Sequence, residues 1–261
     1  MTQIDINTFL GSYPYRDIGT WEASDVARAI ARVGTDEAWV SHLGATFWGD
    51  PTAGNAALYA AHDRHAQLHA VPAVHPGLPG WEGVLDDAVR RHVPAVRCDP
   101  TFYGLAPAGA EMQRLLAACG ERDVPLMMAV RLEDVRQRHP NDTAENLPPW
   151  AVRQLIRSHP AARLVITHAD RDFVEQVHFG STPDEARRIL WDICWIWGPP
   201  EDHLELLLET VGVGSFAFGT GLPLRLPEAS TAKVDLLNLE TGPREMLLAD
   251  NAQAFRAGVR G

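Results

Sequence analysis

Short, wholly apolar runs alternate along this chain with longer stretches in which apolar residues return every three or four positions. The clearest run is Leu126-Met-Met-Ala-Val130, which gives way at once to Arg131, Glu133, Asp134, Arg136, Arg138 and His139. A continuous apolar run suits a strand covered on both faces, as in a parallel sheet. Folds built from such sheets bind ligands just beyond the carboxyl ends of the strands. The pattern predicts strands over residues 3–9, 37–41, 68–74, 93–96, 125–131, 163–167, 188–193 and 215–218. Helical periodicity predicts helices over about 22–33, 55–67, 81–92, 110–122, 149–159 and 200–211, with two terminal helices over about 228–239 and 243–257. Residues 43–55, rich in glycine and aromatics, read as a long loop and a candidate lid.

Eight strands, most followed by a helix, form the pattern of an α/β protein of the (β/α)8 TIM-barrel type. With 261 residues the chain matches the usual length of one such domain, so residues 1–261 are read as a single unit. An open doubly wound sheet is the runner-up, weakened because no glycine-rich phosphate loop follows an early strand. At 46% hydrophobic and 22% charged the chain is globular, and a formal charge of -11 argues against a nucleic-acid partner. No apolar run reaches the ~20 residues needed to span a bilayer, and MTQIDINTF has no signal-peptide character. The expectation is a soluble cytoplasmic protein without a membrane partner. Cys98, Cys119 and Cys194 are too few and scattered for a disulfide framework or a cysteine zinc cluster. Lys233 is the single lysine among many arginines, a bias that suggests a GC-rich bacterial source and disfavours a Schiff-base lysine at a strand end.

Several motifs, in their order, resemble the amidohydrolase superfamily, and within it the amidohydrolase 2 group of decarboxylases and hydrolases. They are Ile4-Asp5-Ile6-Asn7, Arg97-Cys98-Asp99-Pro100, Arg163-Leu-Val-Ile-Thr-His168, Phe218-Gly-Thr-Gly-Leu-Pro223 and Asn251-Ala-Gln-Ala-Phe255. The resemblance implies an amidohydrolase-type barrel, a small-molecule substrate and, by analogy, a homodimer. It also implies a divalent metal held by a histidine pair on strand one, histidines on strands five and six, and an aspartate after strand eight. Those positions fall on Asn7 and Phe9, Ala129, His168 and Gly221, so only His168 survives. A catalytic zinc needs about three protein ligands, which leads us to expect neither a metal nor another cofactor. Without one, no metal-bound water is acidified.

The polar groups then left at the mouth are Asn7, His75, Arg97, Asp99, Arg131, Glu133, His139, His168, Asp170 and Asp192. His168 is expected to move protons, oriented by Asp170 or Asp192, while Asn7, His75, Arg97, Arg131, Glu133 and His139 contact a small carboxylate-bearing substrate. Each has a plainer reading as well: Arg97 can pair with Asp99, Arg131 with Glu133, and Asp134 can cap a helix. Lyase and hydrolase chemistry both fit. Two alternatives differ in class: a non-catalytic ligand- or partner-binding relative, and a metallohydrolase whose ligands have moved to His75, Cys98 or Asp99, His168 and Asp192.

Overall fold

The computed structural model describes residues 1–258. Eight parallel strands follow one another in chain order: β1 Ile4–Ser12, β2 Glu37–His42, β3 Leu68–Ala70, β4 Val96–Arg97, β5 Leu126–Ala129, β6 Leu164–Thr167, β7 Ile189–Asp192 and β8 Phe216–Ala217. They form one ladder from β1 to β3 and another from β4 to β8, and two seams join the ladders. At the first seam Val74 N donates to the Arg97 carbonyl and Arg97 N to the Pro72 carbonyl, both at 2.8 Å. At the second, Ile6 N donates to Phe218 O at 3.0 Å and Phe9 N to Leu222 O at 2.8 Å. The result is a closed (β/α)8 barrel.

Every residue of β5, β6 and β7 is buried, which is why these strands read as unbroken apolar runs. Alternation sends Met127, Val165, Leu190 and Ala217 inward with Ile4, Ile6, Trp39, Val71 and Ala95, while Leu126, Met128, Leu164 and Ile166 face the helical layer. Ala249, Ala252 and Phe255 from the C-terminal helical turns belong to the same inner cluster and plug its lower end.

The predicted strands all form, with shifted ends. The fourth begins later than expected, so Arg97 belongs to the ladder rather than to the loop after it. The helix Arg171–His178 was not anticipated; its start is marked by Asp170, whose side chain accepts Phe173 N at 3.0 Å. The expected lid is no open loop either. Leu43–Phe47 is a short helix whose first four residues are buried, and a second helix begins at Thr52. Glycine at 44 is required there, because a Cβ would strike the Trp48 ring.

Asp5 fastens the second seam. Its carboxylate accepts Asn7 N and Thr220 N, both at 3.0 Å, and the Thr220 hydroxyl at 2.5 Å. Burial pushes its pKa up to about 7, against the opposing hydrogen bonds. A carboxyl with a raised folded pKa stabilises fully below its unfolded value near 4, and that contribution is lost as pH rises through about 7. The stability difference between wild type and Asp5→Asn is therefore expected to move against wild type between pH 4 and pH 8. The ceiling is on the order of 4 kcal/mol. Urea unfolding of both proteins at each pH checks this, and a difference constant with pH would refute it.

Candidate active site at the barrel mouth

The five positions to which the resemblance assigns metal ligands do converge. Phe9 and Ala129 share an apolar cluster with Tyr13, Leu43, Leu132 and Leu224, and the Phe9 ring lies 6.2 Å from the His168 imidazole, nearly parallel to it. A Cβ on Gly221 would lie 3.2 Å from His168 Nε2. Asn7 Nδ2 donates to Asp192 at 2.7 Å, and Asp192 accepts the backbone N–H of His168 at 3.0 Å. Three of the five side chains have no donor atom, and among the described residues no three His, Cys, Asp or Glu side chains are grouped to hold a metal. The residues present therefore do not fit a divalent ion. The relocated set fails too: Cys98 packs on Met112, 3.5 Å away, in the layer between strands and helices, and His75 stacks on Tyr103 at 4.2 Å.

Where a metal would bring charge, the chain has arginine. Arg97 is buried, donates through Nε to Asp99 at 2.7 Å and lies 4.6 Å from the Phe9 ring centroid. Asp99 also accepts Ala129 N at 2.8 Å, while Arg97 Nη2 has no protein partner. Of the two sequence readings of Arg97, the geometry supports the ion pair with Asp99.

His168 sits at the end of β6 with a left-handed backbone, φ 58°, a sparsely populated conformation for a residue with a side chain. It is fully buried, its Nδ1 lies 3.3 Å from Thr167 Oγ1, and its Nε2 has no protein partner. Burial, reinforced by Arg97, Arg225 and Arg131, holds its pKa well below the ordinary value, so the ring is neutral at pH 7. Neither carboxylate expected to orient the imidazole bonds to it. Asp170 caps its helix and pairs with Arg131 at 2.8 Å, and Asp192 holds the histidine's backbone rather than its ring.

Arg225 is the residue the sequence reading missed. Its guanidinium stacks on Trp195, Cζ 3.6 Å from the ring centroid, its Nε is buried without a partner, and among the described residues no carboxylate pairs with it. The available signal was its place, two residues beyond Gly-Thr-Gly-Leu-Pro in the loop after the last strand, where barrels often bind anions. Arg131 Cζ lies 5.6 Å from the same Trp195 ring, and His168 meets that ring edge-on at 5.8 Å.

Above this cluster lies a groove of about 420 Å³ lined by Arg16, Glu133, Cys194, Trp195, Arg225 and Lys233 among others. A smaller hollow of about 330 Å³ adjoins it through Arg16 and Glu133 and reaches Tyr13, Tyr15 and His139. Glu133 is buried and pairs with Arg16 at 3.4 Å. His139 is exposed and stacks on Tyr15 at 5.7 Å, at the rim rather than beside His168. His75 lines neither hollow.

An arginine-rich mouth on a (β/α)8 barrel thus defines the class of site. Solved structures that share this fold include decarboxylases and a hydrolase. One is a 2,6-dihydroxybenzoate decarboxylase complexed with 2,6-dihydroxybenzoate, with TM-score 0.76, 11% identity and 98% of each chain covered. A second is a 5-carboxyvanillate decarboxylase from Novosphingobium aromaticivorans with bound manganese, with TM-score 0.75 and 10% identity over 98% of this chain and 97% of that one. A third is a putative 2-pyrone-4,6-dicarboxylic acid hydrolase from Pseudomonas putida, with TM-score 0.70, 18% identity and 98% of each chain covered. No family model and no curated protein matches the sequence. Among the described residues no helix is long and apolar enough to cross a membrane.

The Arg97–Asp99 pair sets a stability prediction. Arg97→Met leaves Asp99 charged, buried and uncompensated and should cost about 3–5 kcal/mol. Arg97→Met combined with Asp99→Leu should recover much of that loss. Urea denaturation of both variants decides it, and equal stability of Arg97→Met and wild type would contradict the buried pair.

Proposed function

We propose that this chain binds a small carboxylate-bearing molecule at the barrel mouth and turns it over by acid–base chemistry without a metal. One observation carries the reading: Arg97 Nη2, Arg131 Nε, Arg225 Nε and His168 Nε2 are all buried without protein partners around one spot. Buried polar groups left unpaired cost about 1–3 kcal/mol each; an anion would satisfy the three guanidinium donors together, and a hydroxyl on it or a water would donate to His168 Nε2. Arg225, held flat by Trp195 and paired with no carboxylate among the described residues, is the first anchor, and its planar fork suits bidentate carboxylate binding. Arg131 already serves Asp170 and contributes charge more than free donors.

His168 is the proton-transfer group. Its neutral ring can accept a proton from water or from a substrate hydroxyl, and an arriving anion offsets the three guanidiniums that disfavour the imidazolium. Asp192 and Asn7 fix the backbone from which the ring projects. Proteins of this fold include decarboxylases and hydrolases of small carboxylates. The complete burial of His168 favours a second reading, a ligand-binding relative that performs no reaction, because the ring lies against Trp195 and lines neither hollow.

The test uses 2,6-dihydroxybenzoate, 5-carboxyvanillate and 2-pyrone-4,6-dicarboxylate as probes in the presence of EDTA. At least one should raise the melting temperature saturably and be converted. Arg225→Ala should weaken that binding by about ten- to a hundredfold, the worth of a charged hydrogen-bonded contact. His168→Ala should abolish conversion while leaving binding in place. Binding without conversion selects the second reading, and conversion that appears only when manganese is added contradicts the first.

A further inference from the structure

The chain's single lysine lines the groove, yet the proposed chemistry does not use it. Lys233 lies in the helix Pro227–Leu236, which begins two residues after Arg225. Its Nζ donates to the carbonyls of Ile193 at 2.7 Å, Cys194 at 3.1 Å and Ile196 at 2.7 Å. An ammonium has three donors and no acceptor, so every proton is used and no lone pair is offered to a substrate. Burial draws its pKa down to about 8, which still leaves the ammonium in the majority at pH 7. Residue 198 is glycine where the lysine stem passes, since a Cβ there would strike Lys233 Cγ. From the same helix Ser230 donates to Gly219 O at 3.0 Å. One helix therefore pins the ends of both β7 and β8.

The pinned turn carries Trp195, and the loop entering the pinning helix carries Arg225 stacked on it. We infer that Lys233 is a positioning residue, which fixes Trp195 beneath Arg225 by holding three carbonyls of the turn and so sets the geometry of the anion anchor. The importance of that geometry rests on the function proposed above, whereas the pinning itself does not. A methionine fills the space of the stem but donates nothing, and the planar guanidinium of arginine does not converge on three carbonyls as an ammonium does.

Hydrogen exchange on the whole protein separates the two. In Lys233→Met, amide exchange across residues 193–197 should accelerate at least about tenfold, the loss of hydrogen bonds to a charged group, with β5 and β6 unchanged. Ser230→Ala should loosen residue 219 but not residues 193–197. If Lys233→Met does not fold, Gly198→Ala, which displaces the stem, should show the same local acceleration. Affinity for 2,6-dihydroxybenzoate should fall at least tenfold in Lys233→Met and less in Ser230→Ala. Unchanged exchange in both Lys233→Met and Gly198→Ala overturns the inference, as does cyanoborohydride trapping of pyruvate on Lys233, which would make the amine a nucleophile. Should wild type bind no dihydroxybenzoate while exchange still accelerates, the pin stands and the proposed function loses its support.

Discussion

Arg97 and Asp99 share a 2.7 Å hydrogen bond almost wholly out of water, and much of the mouth is arranged around it. A guanidinium buried this deeply is tolerated only if its charge is matched and its protons are largely used. Asp99 supplies the charge and in turn ties β4 to β5 through Ala129 N. Phe9 lends the face of its ring above the cation. A histidine at position 9 would replace that apolar face with a polar ring. Phenylalanine at position 9 thus suits the arginine below it.

From this centre the polar groups extend outward in order. Phe9 stacks towards His168, His168 meets Trp195, and Trp195 carries Arg225 on its face with Arg131 nearby. Positive charge that a divalent ion would concentrate at one point is spread over three side chains, of which two are paired. Burial and these three guanidiniums together keep the imidazole neutral. The helix Pro227–Leu236 adds rigidity, because its lysine and serine hold the strand ends that present these groups.

The barrel was legible because its strands are buried on both faces, so that Leu126–Ala129 and Leu164–Thr167 announce themselves as apolar runs. Arg97 and Asp192 could be placed at the mouth from where their strands end, and Asn7 and His168 from the resemblance. What sequence order hid was partnership. Asp170 and Asp192 flank His168 in prospect, yet a helix N-terminus claims the first and a backbone amide the second. His75 and His139 also end or follow strands, but neighbouring tyrosines draw them to the periphery. Arg225 and Lys233 lie beyond the last strand, where no periodicity distinguishes a site residue from a helix start. Only the fold brings them against a turn some 30 to 40 residues earlier.

In the function proposed above, guanidinium charge and not a metal organises this mouth. Elemental analysis of protein purified without chelator and without added metal tests it most directly. The expected result is no zinc, manganese or iron in stoichiometric amount, and no gain when manganese is supplied and excess removed. Near-stoichiometric metal that survives dialysis would contradict it, and would mean that His168 is a ligand in a donor set the folded chain assembles some other way.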